Sequence, residues 1–218
     1  MDRTLSSRRR RSPAILLAGS AAMLALPFLL GVASAQGART LTIDPAGSRV
    51  FIEVGRSGLL GFAGHDHEVL ASAVNGRAEV DPTNWARSVV TLEFDASKLK
   101  VTAKGDPPSD VPEVERVMLS ERVLDVKRFP AVAFRSRRVT ATLGPSGIGL
   151  VIDGDFTLHG VTRALTVRST VTMESTGLTA RGTCAIRQTE FGMEPVTAGG
   201  GTVRVKDEVR VDFVLKAR

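Results

Sequence analysis

Gly64-His65-Asp66-His67-Glu68 is the densest polar constellation in the chain. In an extended segment alternate side chains share a face, so His65 and His67 project to one side, a spacing that metal sites use. His159 is the third and last histidine. Three imidazoles meeting would make a zinc-type metal site. The same residues suit two other roles: ordering a polar loop by bonding the backbone and one another, or touching the head group of a bound ligand. Gly64 and Asp66 are turn formers in their own right.

Other reactive groups are sparse. The chain has no Gly-x-Ser-x-Gly, no His-Glu-x-x-His and no Walker loop, so it reads as a protein that is not an enzyme and needs no cofactor. Cys184, the single cysteine, falls on the apolar face of its segment among small residues and reads as an inert core thiol. Asp153 and Asp155 share the outward face of another segment and read as solvated acids.

The elements that position these groups are strands. In 148–173, Ile148, Leu150, Ile152, Phe156 and Leu158 alternate with polar residues, and Leu165, Val167, Val171 and Met173 do so again after His159-Gly160-Val161-Thr162. Period two marks strands with one buried face, and the glycine suits a reversal, so this is a β-hairpin with long arms. Shorter strands are expected at 39–43, 49–54 and 88–95, with a hairpin of 67–72 and 74–80 around Asn75-Gly76. Asp110, Pro112 and Glu113 predict one short helix over 111–120, with Val114, Val117 and Met118 at helical spacing. Leu178, Ala180, Gly182, Cys184 and Ile186 give a strand whose inward side chains are mostly small, which leaves room inside. The last strand carries Val203, Val205, Val209, Val211, Phe213 and Leu215 on one face, broken by Asp207. At ~3.3 Å per residue it spans roughly 40 Å. Edges that long invite aggregation, so the expected fold is all-β, a single antiparallel barrel closed on itself, with the helix in a connection. A barrel of about eight strands either fills its interior or holds one ligand, and the pattern alone allows both.

Gly154-Asp155-Phe156-Thr157-Leu158-His159-Gly160-Val161-Thr162-Arg163 resembles the G-x-L-T-x-H-G-V-T-(K/R) core of the YceI-like, polyisoprenoid-binding family. Asp44-Pro45 with Ser48, Val80-Asp81-Pro82, Arg128-Phe129-Pro130 leading to Phe134-Arg135-Ser136, and Phe191-Gly192 follow in the family's order across about residues 39–216. Phe156 stands where leucine is commoner. The resemblance implies an extended, lipocalin-like barrel holding an isoprenoid or other long-chain amphiphile. Each buried CH₂ would contribute roughly 0.8 kcal/mol. On that reading the lining candidates are Phe51, Phe62, Leu92, Phe94, Phe134, Ile152, Phe156, Val167, Val211 and Phe213, with His65 and His67 toward the head group and no metal. His159 then sits in the family's turn motif, where a structural hydrogen bond is the commoner role. Transient contact with a membrane fits such a cargo. The runner-up is a small metal-binding protein using His65, His67 and His159, and a filled barrel acting through protein contacts comes third.

Residues 1–35 read as an export signal. Arg3 and Arg8–Arg11 precede the apolar run Ala14–Val32, and Ala33-Ser34-Ala35 gives an A-x-A cleavage site before Gln36. The run is long for a signal, so an uncleaved anchor is the alternative. No cysteine follows the cleavage site to carry a lipid, and the Sec and twin-arginine routes are both open. The segment holds five of the 29 basic and one of the 23 acidic residues, leaving 24 against 22. The basic character therefore belongs to the leader, and no case for nucleic acid remains. Residues 36–218 are expected to form one domain in the periplasm or outside the cell.

Overall fold

The computed structural model describes residues 37–57, 66–145 and 147–218. The segment expected to be a leader, with its expected cleavage site, lies outside the described residues, as do Phe62 and His65. Twelve strands follow in order: β1 (Arg39–Thr42), β2 (Arg49–Ser57), β3 (His67–Ala71), β4 (Asn75–Val80), β5 (Val89–Asp95), β6 (Lys100–Val101), β7 (Ala131–Gly144), β8 (Gly147–Leu158), β9 (Val161–Glu174), β10 (Gly177–Arg187), β11 (Thr197–Ala198) and β12 (Val203–Ala217). Among the described residues one α-helix, α1 (Val111–Leu119), lies between β6 and β7.

Every ladder is antiparallel, in the order β1-β4-β5-β7-β8-β9-β10-β12-β2-β3-β6, with the short β11 against β12. The order closes on itself. β12 pairs with β10 on one edge and β2 on the other, and its last residues continue onto the end of β1. There Arg218 N donates to Thr42 O at 2.9 Å and Asp44 N to Lys216 O at 2.8 Å. β1 with β2, β3 with β4, and β5 with β6 thus act as three bent staves, each paired along its length with the next. With β7, β8, β9, β10 and β12 they make an eight-stave antiparallel barrel. Closure satisfies the backbone edges that would otherwise stay open.

Aspartates hold the breaks in the staves. Asp44 Oδ1 accepts from Ala46 N and Gly47 N, both at 3.1 Å, between β1 and β2. Asp95 Oδ1 accepts from Ser97 N at 3.0 Å and Ser97 Oγ at 2.6 Å, between β5 and β6. These short side chains offer the chain a local substitute for the ladder. The expected hairpin at Asn75-Gly76 is not formed. β3 and β4 instead continue one another through a kink in which Ala73 takes φ 72°. Gly76 pairs with Leu92 inside the β4–β5 ladder, where a Cβ would lie 2.2 Å from Thr91 O. Glycine is required there by close approach of two backbones, not by a reversal.

The central hairpin is as expected. Leu158 pairs with Val161 across a two-residue turn, and His159 and Gly160 have φ of 51° and 73°, the pattern of a type I′ turn. Helix α1 starts after Asp110 and has Pro112 in its first turn. Its Val111, Val114, Met118 and Leu119 pack on the buried cluster around Val69, Leu99, Leu124 and Phe191. Because neighbouring staves alternate in direction, β3 starts and β6, β8 and β10 end at one end of the barrel, which carries α1. The β4–β5, β7–β8 and β9–β10 connections lie at the other end, with Trp85.

Candidate functional site: an apolar tube through the barrel

Inward-facing side chains enclose a cavity of about 310 Å³. Ile43, Val80 and Trp85 wall it at one end and Leu99, Met118 and Leu124 at the other, so it runs along the barrel axis. Its polar lining residues are Ser88, Glu93, Ser169 and Gln188. Two of these are committed to the wall: Ser88 Oγ accepts from Asp81 N at 3.1 Å, and Gln188 Nε2 donates to Lys206 O at 2.8 Å. Ser169 Oγ is buried without a partner among the described residues.

The alternation read from sequence puts Leu92, Phe94, Phe134, Ile152, Phe156, Val167, Val211 and Phe213 along this tube. Phe51 is corrected. On β2 it is Val50, Ile52 and Val54 that face in, while Phe51 lies on the outer face opposite Leu70 and Asp212. Both parities of Val50-Phe51-Ile52 are apolar, so the sequence alone leaves the face undecided, although Glu53 at an outward position is the signal that favours the even residues. Sequence reasoning missed the tube residues on the connections, Met118, Leu124 and Met193. They sit outside any strand period and come inward only because α1 and the 188–193 turn fold over the end.

The small inward residues of β10 serve as expected. Ala180, Cys184 and Ile186 line the tube. A Cβ on Gly182 would lie 2.6 Å from the Phe213 ring, so the missing side chain is the space that phenyl group occupies. Burial, with a smaller effect from Asp212, pushes the Cys184 thiol up to about 11, which fits an inert group. Asp153 accepts from Thr166 Oγ1 at 2.6 Å, and Asp155 faces Arg137 at 3.6 Å. Both are wall contacts.

The described histidines are occupied separately. His67 Nδ1 meets Asp106 Oδ1 at 2.9 Å, and the Asp106 side chain is 1 % exposed. Beside this pair, Lys104 bonds Glu68, Thr102 Oγ1 donates to Glu68 Oε1 at 3.0 Å, and Glu115 ties α1 to Lys100 and Val101 N. Together they fasten the segment before α1 to the first staves. His159 Nδ1 donates to Phe191 O at 3.0 Å, and its ring stands edge-on to Phe129 with centroids 4.6 Å apart. Among the described residues no three His, Cys, Asp or Glu side chains gather where they could hold a metal.

At the seam of β12, Asp207 does not face the tube. The β12–β2 register shifts between Val205 and Val209. Asp207 Oδ1 accepts from Thr189 N at 2.9 Å and Oδ2 from Thr189 Oγ1 at 2.8 Å. The Thr189 amide holds the Asp207 carboxyl below its usual range.

Comparison with known proteins places this geometry. The model of the YceI-like domain matches residues 41–217. The crystal structure of Burkholderia cenocepacia BcnA is similar, with a TM-score of 0.63 and 21 % identity over 81 % of this chain and 99 % of that one. That of a Campylobacter jejuni YceI protein is similar at a TM-score of 0.52 and 9 % identity, over 68 % of this chain and 82 % of that one. At these identities the two structures speak for the fold. No curated protein matched the chain.

Proposed function

This chain belongs to the YceI-like family, and we propose that it is an exported carrier that holds an isoprenoid-like or other long-chain amphiphile inside its barrel. One observation carries the reading: a closed wall around about 310 Å³ that is apolar nearly from end to end. A tail laid along such a tube leaves water at roughly 0.8 kcal/mol per CH₂. The family of binding proteins to which the chain belongs is consistent with a role in which no bond is made or broken. Export rests on the leader: the basic start, the apolar run and Ala33-Ser34-Ala35 place the mature start at Gln36.

Native mass spectrometry of protein purified from its own cells tests both parts. The carrier predicts a mass starting at Gln36 plus an apolar adduct of several hundred daltons that organic solvent extracts. A bare mass throughout, with no adduct acquired from added long-chain prenols, would overturn it. Trp85 is the only tryptophan, there is no tyrosine, and the indole lines the tube. Its fluorescence therefore reports filling directly. A mass retaining Met1 would refute export by cleavage and leave the carrier intact.

A further inference from the structure

A second cavity of about 410 Å³ lies at the α1 end, lined by Glu121, Arg122, Val123, His159, Glu194 and their neighbours. Val123 and Met193 line both this cavity and the tube. The partition between apolar interior and polar chamber is therefore a single side chain thick at Val123 and at Met193. One is an unbranched methionine, which can swing aside at little cost.

We propose, resting on the carrier reading above, that this chamber receives the head group of the bound amphiphile and selects an uncharged hydroxyl over a phosphate. The charges point that way. The chamber presents the carboxylates Glu121 and Glu194 against the single guanidinium of Arg122, and Arg122 also faces Glu113 on α1. The neighbouring cations are engaged elsewhere. Arg128 pairs with Asp125 at 3.2 Å and lies over the Phe129 ring, while Arg163 keeps its charge but is not part of the lining, its Nε donating to Glu190 O at 3.1 Å. A phosphate would bring negative charge beside two carboxylates with one cation to offset them, whereas a hydroxyl brings a donor.

The acceptor is built in. Because His159 Nδ1–H is committed to Phe191 O, the neutral ring presents Nε2 as a hydrogen-bond acceptor. The ring cannot turn freely, since the type I′ turn and the Phe129 ring hold it. The histidine of the hairpin thus has a structural nitrogen and a nitrogen left for a ligand.

The test uses two probes with the same tail, geranylgeraniol and geranylgeranyl phosphate. Cys184 is the sole cysteine and lines the tube, where a small thiol reagent can report on it. Its raised pKa makes it react slowly, so labelling of the empty protein is first followed to completion, and a filled tube then slows it further. At pH 8 the alcohol should protect at a concentration at least tenfold lower than the phosphate. In the Glu121→Gln, Glu194→Gln variant, both sites being exposed, the phosphate should gain severalfold and the gap narrow. His159→Asn, whose side chain tolerates the same backbone, should weaken the alcohol severalfold while a melt confirms the fold. Equal or better protection by the phosphate in the wild type would overturn the selectivity. A preference for the alcohol that survives both variants unchanged would overturn the chamber as its source. If neither compound protects Cys184 or shifts Trp85 emission, the carrier reading itself fails, and this inference with it.

Discussion

The two sides of the barrel wall are built differently. β7, β8, β9 and β10 are single strands of 11 to 14 residues. The staves of β1 with β2, β3 with β4, and β5 with β6 are each broken once, and their pieces run from two to nine residues. On the long-strand side, alternation fixes the inward face except in β7, where a register shift between Ser136 and Arg138 moves the inward parity from Phe134 to Val139. On the bent side, each break is a local structure with its own hydrogen bonds, and the core depends on where the chain resumes after it. A long regular strand tolerates change anywhere on its outer face, while a bent stave is sensitive at its break. Breaks also turn the wall: they let the same chain pair with β12 through both β1 and β2, which closes the ring.

The largest expected effect is at the tightest point of the bent side. Gly76→Val puts a branched Cβ where the nearest atom, Thr91 O, is 2.2 Å away. It should destabilise by about 3 kcal/mol or more, or prevent folding. Thr170→Val on the outer face of β9 should stay within about 0.5 kcal/mol. Urea melts of the two variants compare the sides directly, and equal losses would erase the distinction.

Phe213→Ala tests the wall that both sides share. The ring is half-buried, lies over Gly182 and lines the tube. A fully packed phenylalanine would cost about 3–5 kcal/mol. Since part of this ring faces open space, the loss should be about 2–3 kcal/mol, with affinity for a long-chain prenol falling at least tenfold. A full packing penalty with unchanged binding would mean that the ring serves only the wall.

Acid should separate the sides next. Three carboxylates at breaks or connections sit below their usual range: Asp81 through the Thr83 hydroxyl, Asp95 through the Ser97 hydroxyl and Asp207 through the Thr189 amide. A group whose folded pKa is depressed stabilises fully above its unfolded value, about 4. That stabilisation is lost as pH falls through the lower folded value. Between about pH 5 and about pH 2.5 the hydrogen-exchange protection factors, taken relative to the intrinsic rate at each pH, should therefore fall first around Asp81, Asp95 and Asp207, while the middles of β8 and β9 stay protected. Simultaneous loss everywhere would show one cooperative unit instead.

The smallest effect is expected at Ser169. Its hydroxyl is buried, 8 % exposed, and unpartnered among the described residues. Ser169→Ala removes an unsatisfied group, so stability should be unchanged or higher by up to about 1 kcal/mol. A clear loss would reveal a partner such as a buried water.

Much of the long-strand side could be read from residues alone. Ile148 to Met173, the Val203 to Leu215 run and the start of α1 at Pro112 are period and turn chemistry, which local sterics decide, although the Asp110 side chain makes no cap hydrogen bond there. The bent side misled where local signals are ambiguous. Asn75-Gly76 suits a reversal, yet here it starts β4 beside a kink, because glycine answers equally to a positive φ and to a close backbone. At Phe51 both faces of the segment are apolar, so apart from the outward Glu53 the sequence leaves the face open, and the register against β12 decides it. The pairing of His67 with Asp106 spans 39 residues with no periodic pattern linking them.

The sequence by itself determined the strand alternation, the His159-Gly160 turn, the helix between the strands and the family, because each is carried by neighbours in the chain. Whether the barrel is filled or hollow, which histidine meets which partner, and that a polar chamber adjoins the tube across Val123 and Met193 were decided only by the tertiary structure. These depend on volumes and distances between segments far apart in sequence, and such quantities exist only once the ring has closed.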